Sequence, residues 1–234
     1  MTPLFQIFFA HFVGDFLLQP TAWVKDKEKK KAKSLKFYLH LLVHSILILS
    51  FLGFGSWVLV ALLILFHGAI DLTKVYFQKP TTKLFWFFLD QILHLLSILF
   101  LWWYFNSPNF SLKWDPTFWI YGTSLILITQ VAGIAIQVSM SNWSKNLDLS
   151  QESSLKNAGK YIGMLERLFV FSFVILGEWQ AIGFLLAAKS VFRFGDLRKA
   201  KDRKLTEYIL IGTLLSFGIS MTVGLLTQWL ISLN

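Results

Sequence analysis

The chain has 234 residues, 55% of them hydrophobic, no cysteine and a formal net charge of +9. That apolar content excludes an ordinary soluble domain and points to a polytopic α-helical membrane protein. The lack of cysteine excludes disulfides and thiolate metal sites. The basic charge gathers in short loops, so it reads as membrane topology rather than as affinity for nucleic acid.

The first apolar segment, 3–18, lacks a basic leading stretch and carries His11 and Asp15, so it is expected to be a retained helix. KDKEKKKAK (25–33) reads as a basic loop. Apolar segments follow at 36–53, 56–78 and 84–105, separated by a tight turn at GFG (53–55) and the short basic QKPTTK (78–83). NSPNFSLKWDP (106–116) is a polar connection, 117–139 is apolar again, and 141–162 is a long polar stretch. Apolar 164–194, basic GDLRKAKDRK (195–204) and apolar 207–232 complete the chain. No separate soluble domain emerges. Residues 1–105 read as a four-helix membrane unit and 106–234 as the remaining helices of one integrated domain.

Segment 164–194 decides the topology. It is long for one tilted span and short for two. A single crossing would put the basic stretches 25–36 and 195–204 on opposite sides. A turn near Gly177-Glu178-Trp179 instead puts every lysine and arginine except Lys113 on one side, as the positive-inside rule requires. The expected fold is therefore all-α: a polytopic bundle of six spans plus a re-entrant or short helical hairpin, both termini outside.

All five histidines lie in the first 94 residues, and each belongs to a pair spaced i, i+4. The pairs are His11 with Asp15, His40 with His44, His67 with Asp71, and Asp90 with His94. Residues four apart share a helix face. Each pair falls about one to three turns from the same, cytoplasmic surface. One such pair alone reads as an interhelical hydrogen bond. Four at one depth point to a functional site inside the membrane. Imidazole and carboxylate suit a divalent transition metal such as Zn, Fe or Mn. Eight ligand-type residues exceed one tetrahedral set and allow one or two ions, with some side chains orienting others. A proton or cation pathway would use the same residues.

Other polar positions surround the pairs. Asp15 and Asp90 are candidate general bases. Lys74, three residues after Asp71, is expected to neutralise Asp71 or a substrate phosphate, or simply to snorkel. Gln19 and Gln91 are candidate hydrogen-bond donors to substrate. Around the hairpin, Glu166 either pairs with Lys189 or Arg193, or Arg167, Lys189 and Arg193 form an anion pocket for a headgroup. Gly212, Thr213 and Ser216 permit close helix packing. The expected partners are membrane lipids, drawn in part by the basic stretch 25–36. No nucleic acid is expected, and a homo-oligomer is compatible with the sequence.

HFVGDFLLQ, LHLLVH, HGAIDLTK and DQILH, with the later GKYIGMLERL, AIGFLLAAKSVFRF and EYILIGTLLS, resemble a family of bacterial inner-membrane proteins, domain of unknown function 3307. The resemblance implies a bacterial inner membrane and a matching polar set: His11, Asp15, Gln19, His40, His44, His67, Asp71, Lys74, Asp90 and His94. A looser similarity is to membrane-bound metal-dependent hydrolases. The leading expectation is a metal-dependent hydrolase acting on a lipid or amphiphilic phosphoester at the cytoplasmic leaflet. Its rival is a metal-ion or proton transporter or channel. For that role the polar trail through Thr123, Ser124, Gln130 and Gln137 is thin. A di-iron oxidative enzyme ranks lower, because the chain has no adjacent His-His pair.

Overall fold

The computed structural model describes residues 2–105, 115–141, 143, 158–191 and 200–233, and all their regular structure is helical. The contacts divide the chain into two units, 1–126 and 127–233. Most of the 106–116 and 141–162 connections and Lys113 lie outside the described residues.

The first unit holds α1 (Thr2–Leu17), α2 (Thr21–Lys30), α3 (Leu35–Leu52), α4 (Trp57–Phe77), α5 (Lys83–Tyr104) and the start of α6 (Pro116–Ser139). Local chemistry fixes the helix starts. Pro20, which lacks an N–H, stands immediately before α2. Ser34 caps α3, its Oγ accepting from Phe37 N at 3.4 Å and donating to Asp26 Oδ2 at 2.6 Å. Hydrogen bonds from Lys30 and Ser34 hold the Asp26 carboxyl below the usual carboxylate range. Asp115 caps α6 by accepting from Thr117 N at 2.8 Å, with Pro116 in the first helical position. Ser34→Ala should cost the first unit about 1–2 kcal/mol, read as a lower denaturant midpoint in detergent.

Stretch 25–33, expected as a loop, is mostly helix. Lysine and glutamate are good helix formers, and no glycine or proline interrupts TAWVKDKEKK. The charge run hid a folded cap with a buried side.

Along α1, α3, α4 and α5 one stripe of each helix faces inward, spaced three or four residues apart. One end of that stripe is apolar: Leu4, Ile7, Ile48, Leu52, Leu59, Leu63, Ile98 and Leu101 form a continuous core. The other end carries His11, His40, His44, His67, Asp71, Asp90 and His94, all buried. The outward faces expose Leu42, Ile46, Leu65, Ile92, Leu96 and Phe100. Polar inside and apolar outside is the arrangement a lipid environment favours.

Among the described residues, five helices are long and apolar enough to cross a membrane: Leu35–Leu52, Phe54–Phe77, Pro80–Tyr104, Pro116–Ser139 and Lys204–Ser232. Thr2–Leu17 is apolar but shorter.

The second unit contains the end of α6, α7 (Ala158–Leu176), α8 (Trp179–Val191) and α9 (Ala200–Ser232). α7 breaks at Gly177, whose φ of 77° is a left-handed conformation that glycine adopts without strain. The chain turns there, in the expected Gly177-Glu178-Trp179 stretch. Glu166 and Lys189, on either side of the turn, pair at 2.6 Å and close a helical hairpin. Val170, Val174, Ile182 and Phe217 pack α7, α8 and α9 together.

Candidate metal centre

The site lies within the first unit and is organised by Asp15. That residue stands in a π-helical turn, Val13–Leu17, which interrupts the α-helix where straight i, i+4 geometry was expected. Leu18 N reaches back five residues to Val13 O at 2.9 Å. Such a widened turn re-aims side chains and recurs at functional sites. Beside Asp15, Gly14 is required by close approach. A Cβ added there would stand 2.5 Å from Cε1 and Nε2 of His44.

Three imidazoles from two other helices converge on one oxygen of Asp15. His44 Nε2 lies 3.0 Å, His40 Nε2 3.2 Å and His67 Nε2 3.6 Å from Asp15 Oδ1. Asp15 Oδ2 accepts from Gln91 Nε2 at 3.2 Å and lies 3.8 Å from His11 Nε2. His40 Nε2 and His67 Nε2 are 3.1 Å apart, so one carries a hydrogen and the other accepts it. The ring of His94 lies 4.1 Å from that of His67 and 5.1 Å from that of His11.

The two members of a pair share a helix face, as their spacing implies, but their closest contacts are to other helices. His11–Asp15 and His94–Asp90 stand at 3.8 Å, whereas the contacts of 3.0–3.2 Å cross between helices. Helical spacing put the side chains on the correct face, and helix packing chose their partners.

The other two carboxylates are paired with lysines. Asp71 Oδ2 meets Lys27 Nζ at 2.5 Å, with the side chains only 8% and 6% exposed. Asp90 Oδ2 meets Lys74 Nζ at 2.8 Å and also accepts from Gln91 Nε2 at 3.1 Å. Lys74 thus reaches across to α5 instead of neutralising Asp71 on its own helix. Lys27 was not singled out in the sequence, because it sits in a run of lysines. Its only mark is helical spacing from Trp23, which predicts a shared face of α2.

Three overlapping groups bring ligand atoms within 4.8 Å of one another: His11, Asp15, His44 and His67; His40, His67 and Asp71; and Asp71, Asp90 and His94. The donor set fits a metal on a second ground. His11 Nε2, in the first of these groups, is buried without a hydrogen-bond partner among the described residues. An orphaned buried nitrogen is costly, and ligation to a cation removes the deficit. A cavity of about 20 Å³, room for one water-sized body, is lined by His11, His44, His67 and His94 and roofed by Ile7, Ile48, Leu63 and Ile98.

Gln91 bridges Asp15 and Asp90 through its amide nitrogen, while Gln19 keeps Nε2 buried without a partner. In the second unit, Lys189 pairs with Glu166, the plainer of the two expectations for it. Arg167 gives its donors to Ile128 O, to Thr129 O at 3.2 Å and to Ser216 Oγ at 3.5 Å. Those carbonyls belong to the π-helical turn Leu127–Val131, where the regular bonding pattern is broken. Arg193 lies outside the described residues.

Comparison with curated proteins and with solved structures returned no match. The family model described as Protein of unknown function (DUF3307) matches residues 4–121. That span takes in α1 to α5, the first turns of α6, and every His and Asp of the cluster. The chain therefore belongs to this family.

Proposed function

We propose that the chain is a membrane-embedded, metal-dependent hydrolase of a lipid or amphiphilic phosphoester, with its His/Asp centre opening toward the cytoplasmic leaflet. The observation that carries this reading is the convergence of three imidazole nitrogens on Asp15 Oδ1. A bound divalent transition metal supplies Lewis acidity and lowers the pKa of water. His11, Asp15, His44 and His67 would hold it, with His40 oriented behind them.

The chain's own residues supply the rest. Asp90 is fixed through Oδ2 by Lys74 and Gln91, and its Oδ1 has no hydrogen-bond partner. That oxygen is placed to take a proton in a general-base role. Lys74, with a side chain 25% exposed, and Gln19, with its unpartnered Nε2, would receive the anionic ester oxygens. Arg167 and Lys189 belong to the second unit, and the proposal draws the site from the first.

The accompanying topology has α1, α3, α4, α5, α6 and α9 as six spans in a bacterial inner membrane, with the α7–α8 hairpin re-entrant and both termini outside. The basic stretches then face the cytoplasm. A transporter or channel for a metal ion or proton would need polar groups through the full thickness. The apolar core from Leu4 to Leu101 that closes the other end of the first unit favours a resident centre over a conducting path.

Lipid extracts from cells expressing the wild type or His44→Ala/His67→Ala should differ in one phosphoester class, with product accumulating only for the wild type. Identical lipid profiles, combined with metal fluxes that differ between the two strains, would establish the transporter instead.

A further inference from the structure

We infer that the centre takes a single cation, because Lys27 and Lys74 supply the positive charge a second ion would bring. This rests on the metal-centre reading above and deepens it. Three carboxylates share the polar end of the first unit: Asp71 and Asp90 are buried and Asp15 is partly buried. Asp71 is matched by Lys27 at 2.5 Å and Asp90 by Lys74 at 2.8 Å. Asp15 has no lysine or arginine partner among the described residues; imidazoles and the Gln91 amide surround it.

With neutral imidazoles the cluster carries one net negative charge, located at Asp15. One divalent ion reverses that to one positive charge, and a second would leave three in a buried volume, where unbalanced charge is costly. The cavity against His11, His44, His67 and His94 has about 20 Å³, enough for one small body. The unpartnered Nε2 of His11, on a side chain 2% exposed, belongs to the same group as Asp15.

The two lysines differ in origin. Lys74 belongs to a helix of the bundle, while Lys27 comes from α2, which covers the bundle's polar end. α2 is held there by Glu28, which accepts from Gln78 Nε2 at 3.3 Å, and the residue that follows the helix, Lys31, lies over the Tyr76 ring at 4.6 Å. Lys27 is therefore a positioning residue. It makes Asp71 a fixed ion-paired neighbour of His40 (3.8 Å) instead of a free ligand.

The test is a titration of chelator-stripped full-length protein in detergent with Co²⁺ alone, following visible absorption and bound cobalt per chain. Saturation at one equivalent is the expected result. Saturation at two equivalents overturns the single-ion inference while leaving the metal centre intact. Absence of binding removes both. A paired variant, Lys27→Met with Asp71→Asn, deletes both charges without leaving either unmatched. It should still bind one equivalent, and loss of that equivalent would make Asp71 a ligand and overturn the assignment.

Discussion

Lys27→Met is expected to destabilise the first unit by about 3–5 kcal/mol, the cost of leaving a buried carboxylate without its counter-charge. Lys27 and Asp71 are both nearly excluded from solvent and meet at 2.5 Å. The expectation therefore differs from that for an exposed pair such as Lys30–Asp26, whose lysine side chain is 57% exposed and whose loss should cost far less. Adding Asp71→Asn should recover most of the loss, since the unmatched charge goes with it. Denaturant unfolding of the two single variants and the double variant in the same detergent gives the full cycle. A cost under about 1 kcal/mol for Lys27→Met would mean that α2 does not seal the polar end.

Gly14→Ala is the second large effect, and it separates site from fold. The new methyl would overlap the His44 ring at 2.5 Å. His44 is itself 1% exposed and hemmed in by the rings of His40 and His67 at 4.6 and 4.2 Å, so it cannot yield without disturbing them. Overpacking of this kind costs about 1–3 kcal/mol. That leaves a folded protein while displacing an imidazole from Asp15. The expected outcome is a stably extracted protein with at least a tenfold loss of metal affinity. Gly55→Ala, where an added Cβ meets nothing within 4 Å, is the control and should bind metal normally. Equal metal affinity for both variants would show that the close packing of Gly14 on His44 is not needed by the centre.

Much of this arrangement is legible in the sequence because lipid imposes a simple grammar. Helix extents followed from apolar length, and four i, i+4 pairs at one depth gave the converging residues. The break at Gly177 followed from the length of one segment and the sidedness of the basic stretches, and the Glu166–Lys189 pair was one of the alternatives left open for those charges. What the sequence hid has a common physical origin. The π-helical turn at Val13–Leu17 leaves no mark in a pattern read at 3.6 residues per turn, yet it sets where Asp15 points. Lys27 was invisible because a run of lysines reads as solvated charge, and only the packing of α2 against α4 selects one of them for burial. Lys74 found Asp90 instead of Asp71 because a long flexible side chain chooses its partner in three dimensions. Arg167 was readable as an anion ligand until the carbonyls of Ile128 and Thr129, freed by a second π-helical turn, supplied acceptors. Spacing names the face of a helix, and packing names the partner.

The most direct test of the central claim is elemental analysis of purified full-length protein, wild type against Asp15→Asn, with matched folding verified by circular dichroism. Asp15 is the carboxylate on which His40, His44 and His67 converge, and asparagine keeps its shape while removing its charge. The account predicts a transition metal in the wild type and at least a tenfold lower content in Asp15→Asn. Wild-type protein that holds no transition metal, even after purification without chelator and incubation with zinc, iron or manganese, would contradict it.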